Sequence, residues 1–328
     1  MNIAAEDYAL ASKISNQDLL GFAQRNINLP PEKAQEYRDR TNSLATRLQK
    51  FIEEATEYDL VRTFPSGSLA KGTSLKKIGD LDLALYVKAA GAPKNDSELV
   101  AWMIERLKEV FPDFADDRFE PQDHCVKLIY ATGPSIDVVP VLYEGEANNV
   151  GYLILKDSGR RVMTSIPLHL EFIRKRKSLN KVHFAQLVRL AKYWVAKRKE
   201  LDDSFRFKSL MVELICAHLC DSGLDPSDYA KALESFFAYI VRTELKSPIV
   251  FADYYKLSEV KVDSKPVQIY DPVNPENNIA AKYTDEQRIK IIKAAQEALN
   301  ALSEAAYSIT KAEALNMWQV VLGPTFQG

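Results

Sequence analysis

The segment Phe64-Pro-Ser-Gly-Ser-Leu-Ala-Lys-Gly-Thr-Ser-Leu-Lys-Lys-Ile-Gly-Asp-Leu-Asp-Leu-Ala-Leu-Tyr86 fixes the architecture that we predict for this chain. It joins a Gly67-Ser68 turn to an apolar strand that opens with Asp80 and Asp82. Because successive strand residues point to opposite faces, these two carboxylates share one face, roughly 6.5–7 Å apart. That spacing suits a pair of divalent cations, which lie ~3.5–4 Å apart in two-metal sites. With a small-residue turn that can cradle phosphate, the acidic pair predicts metal-dependent nucleotidyl transfer.

A third candidate carboxylate, Asp137, stands between Ile136 and Val138 in a valine-rich strand. Burying an unpaired charge is costly, so a carboxylate here needs a partner, a metal ion or a strand end. If this strand pairs beside the Asp80 strand, three carboxylates converge, and their repulsion favours hard cations such as Mg²⁺. The alternative is three unrelated surface aspartates at strand ends.

Composition narrows the class of protein. The 328 residues are 46% hydrophobic with a net charge of −2, which is enough for one large or two medium cores. We find neither a secretory signal nor an apolar run near the roughly 18–20 residues of a membrane span. Three cysteines indicate a reducing interior, so we expect a soluble cytoplasmic protein. The balance of 43 basic and 45 acidic residues argues against constitutive nucleic-acid binding.

The hydrophobic pattern predicts a mixed catalytic part over residues 1–165 and a helical part over residues 166–328, with the site in the cleft between them. Strands are predicted over 60–63, from Asp80 onward, and as a hairpin over 125–130 and 136–142, with an extended stretch over 260–270. Loop residues are predicted over 91–96. Helices are predicted within 1–29 and over 32–57, 98–110, 168–198, 208–220, 229–245 and 284–315, followed by a tail over 318–328.

Two further features have plain structural interpretations. Cys216 and Cys220 share a helix face, but no second ligand cluster accompanies them, so we predict buried thiols rather than a zinc site. The basic stretch that begins at Arg174 and ends at Lys199 is predicted to be mostly a solvated helix face. Within this stretch, only Lys192 is a candidate for a functional role, as a basic residue in the wall of the cleft that would neutralise a triphosphate.

With these motifs in place, the sequence resembles the polymerase β-like nucleotidyltransferases, and within them the bacterial CD-NTases related to cyclic GMP-AMP synthase and oligoadenylate synthetase. Ile136-Asp-Val-Val-Pro140 resembles the third-aspartate strand of the family. Leu190-Ala-Lys-Tyr-Trp194 and Phe207-Lys-Ser-Leu-Met-Val-Glu-Leu214 resemble the paired helices of the C-terminal lobe, and 269–278 resembles its Asp-Pro-x-x-Pro-x-x-Asn segment. The resemblance implies an α+β fold, in which a polymerase β-like core with a mixed sheet precedes a helical oligoadenylate synthetase-type lobe.

The resemblance also implies roles at the acidic cluster. Asp80 and Asp82 would bind two Mg²⁺ ions, with Mn²⁺ as an alternative, whereas Asp137 would bind one ion and help activate the attacking hydroxyl. Gly67 and Ser68 would hold the β- and γ-phosphates of the donor nucleotide.

Further implied contacts come from the helical part. Lys192 and Ser209 match family positions near the donor triphosphate. Leu210 takes the place of the aromatic residue that commonly stacks on the donor base, so the resemblance does not predict the base preference. The zinc-binding insertion of animal cyclic GMP-AMP synthase is absent from the sequence.

The implied function is synthesis of cyclic di- or trinucleotide second messengers from nucleoside triphosphates, in CBASS-type anti-phage defence. The implied partners are a downstream cyclic-nucleotide effector and a ubiquitin-transfer-like enzyme that acts on Gly328. The alternatives are a synthase of linear oligonucleotides, a nucleotidyltransferase acting on RNA or protein, and a non-catalytic scaffold of the same fold.

Overall fold

The computed structural model describes residues 13–54, 58–89, 96–156 and 158–328. The strands in this part are β1 (Tyr58–Ser66), β2 (Asp80–Ala89), β3 (Phe119–Pro121), β4 (Val126–Leu128), β5 (Ser135–Leu142), β6 (Gly151–Ile154) and β7 (Arg161–Thr164). The helices are α1 (Asn16–Asn26), α2 (Pro31–Glu53), α3 (Gly67–Lys71), α4 (Leu99–Val110), α5 (Ile166–Leu201), α6 (Ser209–Asp221), α7 (Tyr229–Thr243), α8 (Asp285–Tyr307) and α9 (Lys311–Leu322). The predicted helical residues 1–12 and 55–57 and loop residues 91–95 lie outside the described residues.

One mixed sheet carries the first part of the chain. Its strand order is β1-β2-β5-β4-β3, and β6 and β7 continue from the far end of β5. Strands β2 and β5 are parallel, whereas the other pairs are antiparallel. The predicted α+β fold, with its mixed sheet and helical second part, is therefore confirmed.

The two faces of β2 have different surroundings, as its alternating sequence predicts. Leu81, Leu83 and Leu85 are buried in a core that also includes side chains of α2 and α4. The opposite face carries Asp82 and Ala84, and Ala84 packs with Tyr86 and Val141 in a small separate cluster. Helices thus cover one face of the sheet and leave the acidic face toward the helical part of the chain.

A second, larger core holds the helical part together. Trp194 of α5 lies at its centre, with the ring centroid of Phe237 4.9 Å away. Leu19 and Phe22 of α1 belong to this same core, although α1 precedes the sheet in the chain. The domain boundary at residues 165 and 166 stays a prediction, but α1 packs with the later helices.

The chain departs from two of the predicted elements. The single helix predicted over 284–315 is wrong, because α8 ends at Tyr307 and α9 starts at Lys311. Thr310 and Glu313 form a capping box there, which satisfies the free N–H groups of a new helix start. The prediction of a tail over 318–328 is wrong for its first residues, because α9 continues to Leu322 and Trp318 is buried in it.

The basic stretch of α5 also differs from a solvated face. Arg176 is buried and donates hydrogen bonds to Asp221 and Asp253, so at this position the prediction of a solvated face is wrong. Helix α5 bends at Asn180 and Lys181, where Lys181 has a φ of 46°. Cys216 is a free, buried thiol, in agreement with the prediction, whereas Cys220 is free but only partly buried, so the prediction of a buried thiol is wrong there. None of the described helices has the length and apolar character that crossing a bilayer demands.

Candidate active site

The direct junction of β1 and α3 explains why glycine is needed at position 67, the first residue of the helix. Gly67 has a φ of +63°, a conformation that residues with a Cβ rarely adopt. A Cβ added there would lie 1.7 Å from Asp82 Oδ2. The next residue, Ser68, keeps its hydroxyl 3.0 Å from that of Ser74. The predicted phosphate loop and the predicted metal ligand Asp82 are therefore in direct contact.

The parallel pairing of β2 and β5 brings the three aspartates onto one patch. In this register Asp82 is directly opposite Asp137, and Asp80 is opposite Ser135. Asp137 Oδ1 is buried and has no hydrogen-bond partner, although the side chain as a whole is 22% exposed. A buried carboxylate oxygen without a partner is costly, so this atom is suited to bind a cation.

A lysine that the sequence analysis did not single out lies within this acidic patch. Lys127 of β4 places Nζ 2.8 Å from Asp80 Oδ1 and 4.0 Å from Asp137 Oδ1. Asp80 Oδ1 also accepts a hydrogen bond of 2.6 Å from Ser135. Burial raises the pKa of Asp80, but these two donors outweigh it and hold the pKa below its usual value.

The other two aspartates have the opposite electrostatic environment. Burial, together with the nearby charge of Asp80, raises the pKa of Asp82 from 3.8 to about 6. Burial and the charges of Asp80 and Asp82 likewise raise the pKa of Asp137 to about 6. Both shifts indicate negative charge that the protein compensates only in part.

Asp80, Asp82 and Asp137 have the donor atoms that a hard divalent cation requires. All three offer carboxylate oxygens, the ligands that Mg²⁺ prefers, and the Lys127 ammonium already stands where positive charge is favourable. Within the described ranges, however, no three acidic, histidine or cysteine side chains are close enough to form a ready-made metal cage. Asp80, Asp82 and Asp137 as a joint ligand set therefore stay a prediction.

A buried ionic network lies beneath the phosphate loop, and its central residue, Glu213, was missed by the sequence analysis. Glu213 Oε1 accepts hydrogen bonds from Lys192 at 2.5 Å and Thr73 at 2.7 Å, and Oε2 accepts one from Lys71 at 2.9 Å. The Glu213 side chain is 2% exposed. The lysines outweigh the cost of burial and lower the pKa of Glu213 to about 2. The network joins α3 and the loop after it to α5 and α6.

The predicted phosphate-binding residues line a single cavity of about 440 Å³. Gly67, Ser68, Lys192 and Ser209 all belong to its wall, as does Leu210. In this structure Lys192 Nζ is bonded to Glu213, and the side chain is 5% exposed. A larger cavity of about 950 Å³ shares Gly67, Lys71, Leu210, Asp82 and Asp137 with the first. Two neighbouring compartments thus meet at the acidic patch.

The raised pKa of Asp82 predicts how metal-free protein responds to pH. The folded state binds this proton more tightly than the unfolded state, so stability is gained as the pH falls from about 7 toward 4. Between about pH 7.5 and pH 5, we expect the free energy of unfolding to rise by about 1 kcal/mol more in the wild type than in Asp82→Asn.

Urea unfolding in EDTA measures this difference, because the two proteins differ only in this side chain. Saturating Mg²⁺ should abolish the difference in slope, because the cation stabilises the ionised carboxylates. Equal pH dependence of the two proteins in EDTA would contradict the assignment.

Residues 14–155 match the model of the SMODS family, the Second Messenger Oligonucleotide or Dinucleotide Synthetase domain. The chain is 43% identical over 316 residues to a protein of Escherichia coli (strain MS 115-1) named cyclic AMP-AMP-AMP synthase. That match covers 96% of this chain and 98% of the relative. A second E. coli relative, from strain KTE188, is named CBASS oligonucleotide cyclase CdnC and is 27% identical over 321 residues.

Solved structures agree with these matches. The structure of E. coli MS115-1 CdnC with ATP has a TM-score of 0.86 and 42% identity, and covers 96% of this chain and 100% of that one. The same E. coli protein in complex with HORMA-deltaN also gives a TM-score of 0.86. Similarity over nearly the whole length, in both sequence and structure, carries the family assignment.

Proposed function

This chain belongs to the CD-NTases, the family of second messenger oligonucleotide and dinucleotide synthetases, and we propose that it joins adenosine triphosphates into a cyclic oligonucleotide. The observation that carries the proposal is the parallel pairing of Asp82 with Asp137 directly beneath the Gly67 turn. Adenine is chosen because of the 43% identity to the relative named cyclic AMP-AMP-AMP synthase. The CBASS name of the second relative supports a role in anti-phage defence.

Family members generally use a divalent metal, and we propose Mg²⁺ here, held by Asp80, Asp82 and Asp137. When bound, the metal would neutralise the charge that develops on the attacking and leaving oxygens. The backbone N–H groups at Gly67 and the Ser68 hydroxyl would bind the donor phosphates. Asp137, whose Oδ1 is buried without a hydrogen-bond partner, would help to activate the attacking ribose hydroxyl, as the resemblance implies.

The buried lysines orient the donor. Lys71 and Lys192 are fixed by Glu213 at the floor of the smaller cavity, next to Ser68. They give this floor a net positive charge, which favours a triphosphate and its departing pyrophosphate. The larger cavity would hold the second nucleotide, whose hydroxyl attacks the α-phosphorus while pyrophosphate leaves.

The partners of this chain are part of the proposal. An E. coli relative is solved in complex with a HORMA protein, and we propose a HORMA-type partner for this chain as well. A downstream cyclic-nucleotide effector, a cytoplasmic location and modification of Gly328 stay predictions. Phe326 is fully buried against Phe22. An enzyme that acts on Gly328 would therefore either displace Phe326 from this core or bind Gly328 while Phe326 stays buried.

Product analysis tests the proposed function. The chain is incubated with each of the four nucleoside triphosphates and with their mixture, in Mg²⁺ or Mn²⁺, with and without the HORMA-type partner. We expect ATP to yield a phosphatase-resistant species with the mass of cyclised adenosine monophosphates. A product that phosphatase shortens would indicate the linear synthase instead. No nucleotide product under any of these conditions would contradict the proposal, and Asp137→Asn serves as the inactive control.

A further inference from the structure

A small basic cavity lies at the junction of the two compartments. Its volume is about 220 Å³, and its wall contains four cationic side chains and no acidic one, formed by Lys199, Arg206, Phe207, Lys208, Lys282, Tyr283 and Gln287. Lys199 also lines the smaller active-site cavity, whereas Lys208 and Lys282 also line the larger one. An anion in this basic cavity would therefore touch both compartments.

The positive charge of this cavity is largely uncompensated. Arg206 donates to the carbonyl oxygens of Asp203 and Phe205, and Lys208 Nζ donates to that of Ile279 at 3.1 Å. Within the described ranges, Lys199, Arg206 and Lys208 form no ion pair with a carboxylate. Lys282 does pair with Asp123, but both side chains are exposed, and such pairs contribute little.

Mutual repulsion of these cations agrees with this picture. Burial, followed by the charge of Arg206, lowers the pKa of Lys199. Burial, followed by the charge of Lys282, lowers the pKa of Lys208. Four cations that have, among the described residues, only the exposed carboxylate of Asp123 paired with them favour a bound anion.

The proposed reaction would be favoured by a second anion site. Joining two nucleoside triphosphates brings two triphosphate chains into one cleft, and only the donor loses pyrophosphate at Gly67 and Ser68. The other nucleotide keeps its triphosphate, which carries several negative charges and cannot share the donor floor. A separate group of cations within reach of the larger cavity would stabilise it.

We propose that the basic cavity formed by Lys199, Arg206 and Lys208, with Lys282, binds the triphosphate that the accepting nucleotide retains. This inference rests on the proposed function and adds a second polyphosphate site to it. It makes the enzyme select acceptors by their 5′ end as well as by their base.

A competition between ATP and AMP tests the proposal. In a mixture of the two, only ATP can be the donor, but either nucleotide can be the acceptor. The ratio of all products started on ATP, triphosphate-ended linear and cyclic together, to the monophosphate-ended linear product, read by mass spectrometry, therefore reports the preference of the acceptor site. In Lys199→Gln/Arg206→Gln/Lys208→Gln we expect this ratio to fall on the order of tenfold, which corresponds to about 1.4 kcal/mol.

The control is Lys33→Gln/Lys246→Gln/Lys311→Gln, which removes the same charge at exposed lysines outside the cavities and should keep the wild-type ratio. An unchanged ratio in the Lys199 triple variant would overturn the inference. A wild type that makes no nucleotide product would instead contradict the proposed function.

Binding of inorganic tripolyphosphate provides a readout that does not need turnover. In calorimetry with Mg²⁺, we expect two sites in the wild type and one in the Lys199 triple variant. The same number of sites and the same affinities in both proteins would overturn the inference, whatever the activity.

Discussion

Asp82→Asn should lower nucleotidyl transfer on the order of 10³-fold and leave the protein as stable as before, or more stable. The amide keeps the shape of the carboxylate beside Gly67 but removes the charge that would hold a metal ion. In the folded protein that charge is disfavoured, since the pKa of Asp82 is raised to about 6 by burial and by Asp80. A shift from 3.8 to about 6 corresponds to about 3 kcal/mol at neutral pH, before any compensation by a cation.

Turnover of ATP and thermal unfolding in EDTA measure the two halves of this prediction. Asp117→Asn is the matched control, because the same change is made at an aspartate that is 82% exposed and lines none of the three cavities. Near-wild-type turnover in Asp82→Asn would remove this residue from the site. A clear loss of stability would show that the carboxylate is better compensated than its surroundings indicate.

Glu213→Gln should destabilise the protein by about 3–5 kcal/mol, because it breaks a buried ionic network and leaves two lysines facing each other. It should also raise the KM for the donor nucleotide, since Lys71, Lys192 and Thr73 lose the group that fixes them. Urea unfolding gives the first effect. Steady-state kinetics well below the unfolding temperature gives the second.

Asp253→Asn separates the two effects of Glu213. Asp253 is 8% exposed and pairs with the buried Arg176, so its loss should be comparably destabilising, but it lines neither active-site cavity. We expect its KM for the donor to match that of the wild type. If Glu213→Gln also keeps the wild-type KM, the network stabilises the fold without positioning the lysines for the substrate.

The acidic strands could be predicted from sequence because their pattern is local. Alternation along β2 fixed which residues share a face with Asp82, and a lone charge among valines marked Asp137. The parallel register that sets these two side by side required the resemblance or the structure, because the two strands are far apart in the chain.

Lys127 and Glu213 show what the sequence analysis left out. Each is a lone charge in an apolar element, the same signal that marked Asp137, so both could have been nominated as paired or functional. Their partners could not, since Lys71 lies 142 residues from Glu213 in the chain. The break between α8 and α9 was missed because the helical pattern continues on both sides of it. The signal that marks the break is the capping box formed by the side chains of Thr310 and Glu313.

The placement of α1 has a consequence for synthesis on the ribosome. The apolar face of α1 is synthesised before the sheet, but the other buried residues of its core begin at Phe172, with only the partly buried Leu75 in between. The sheet core draws on residues 44 to 154 and can close while the rest is still being translated. Until the residues from Phe172 onward have been synthesised, Leu19 and Phe22 are exposed to chaperones and to other nascent chains. Slow translation of this later part of the chain would therefore favour aggregation through α1.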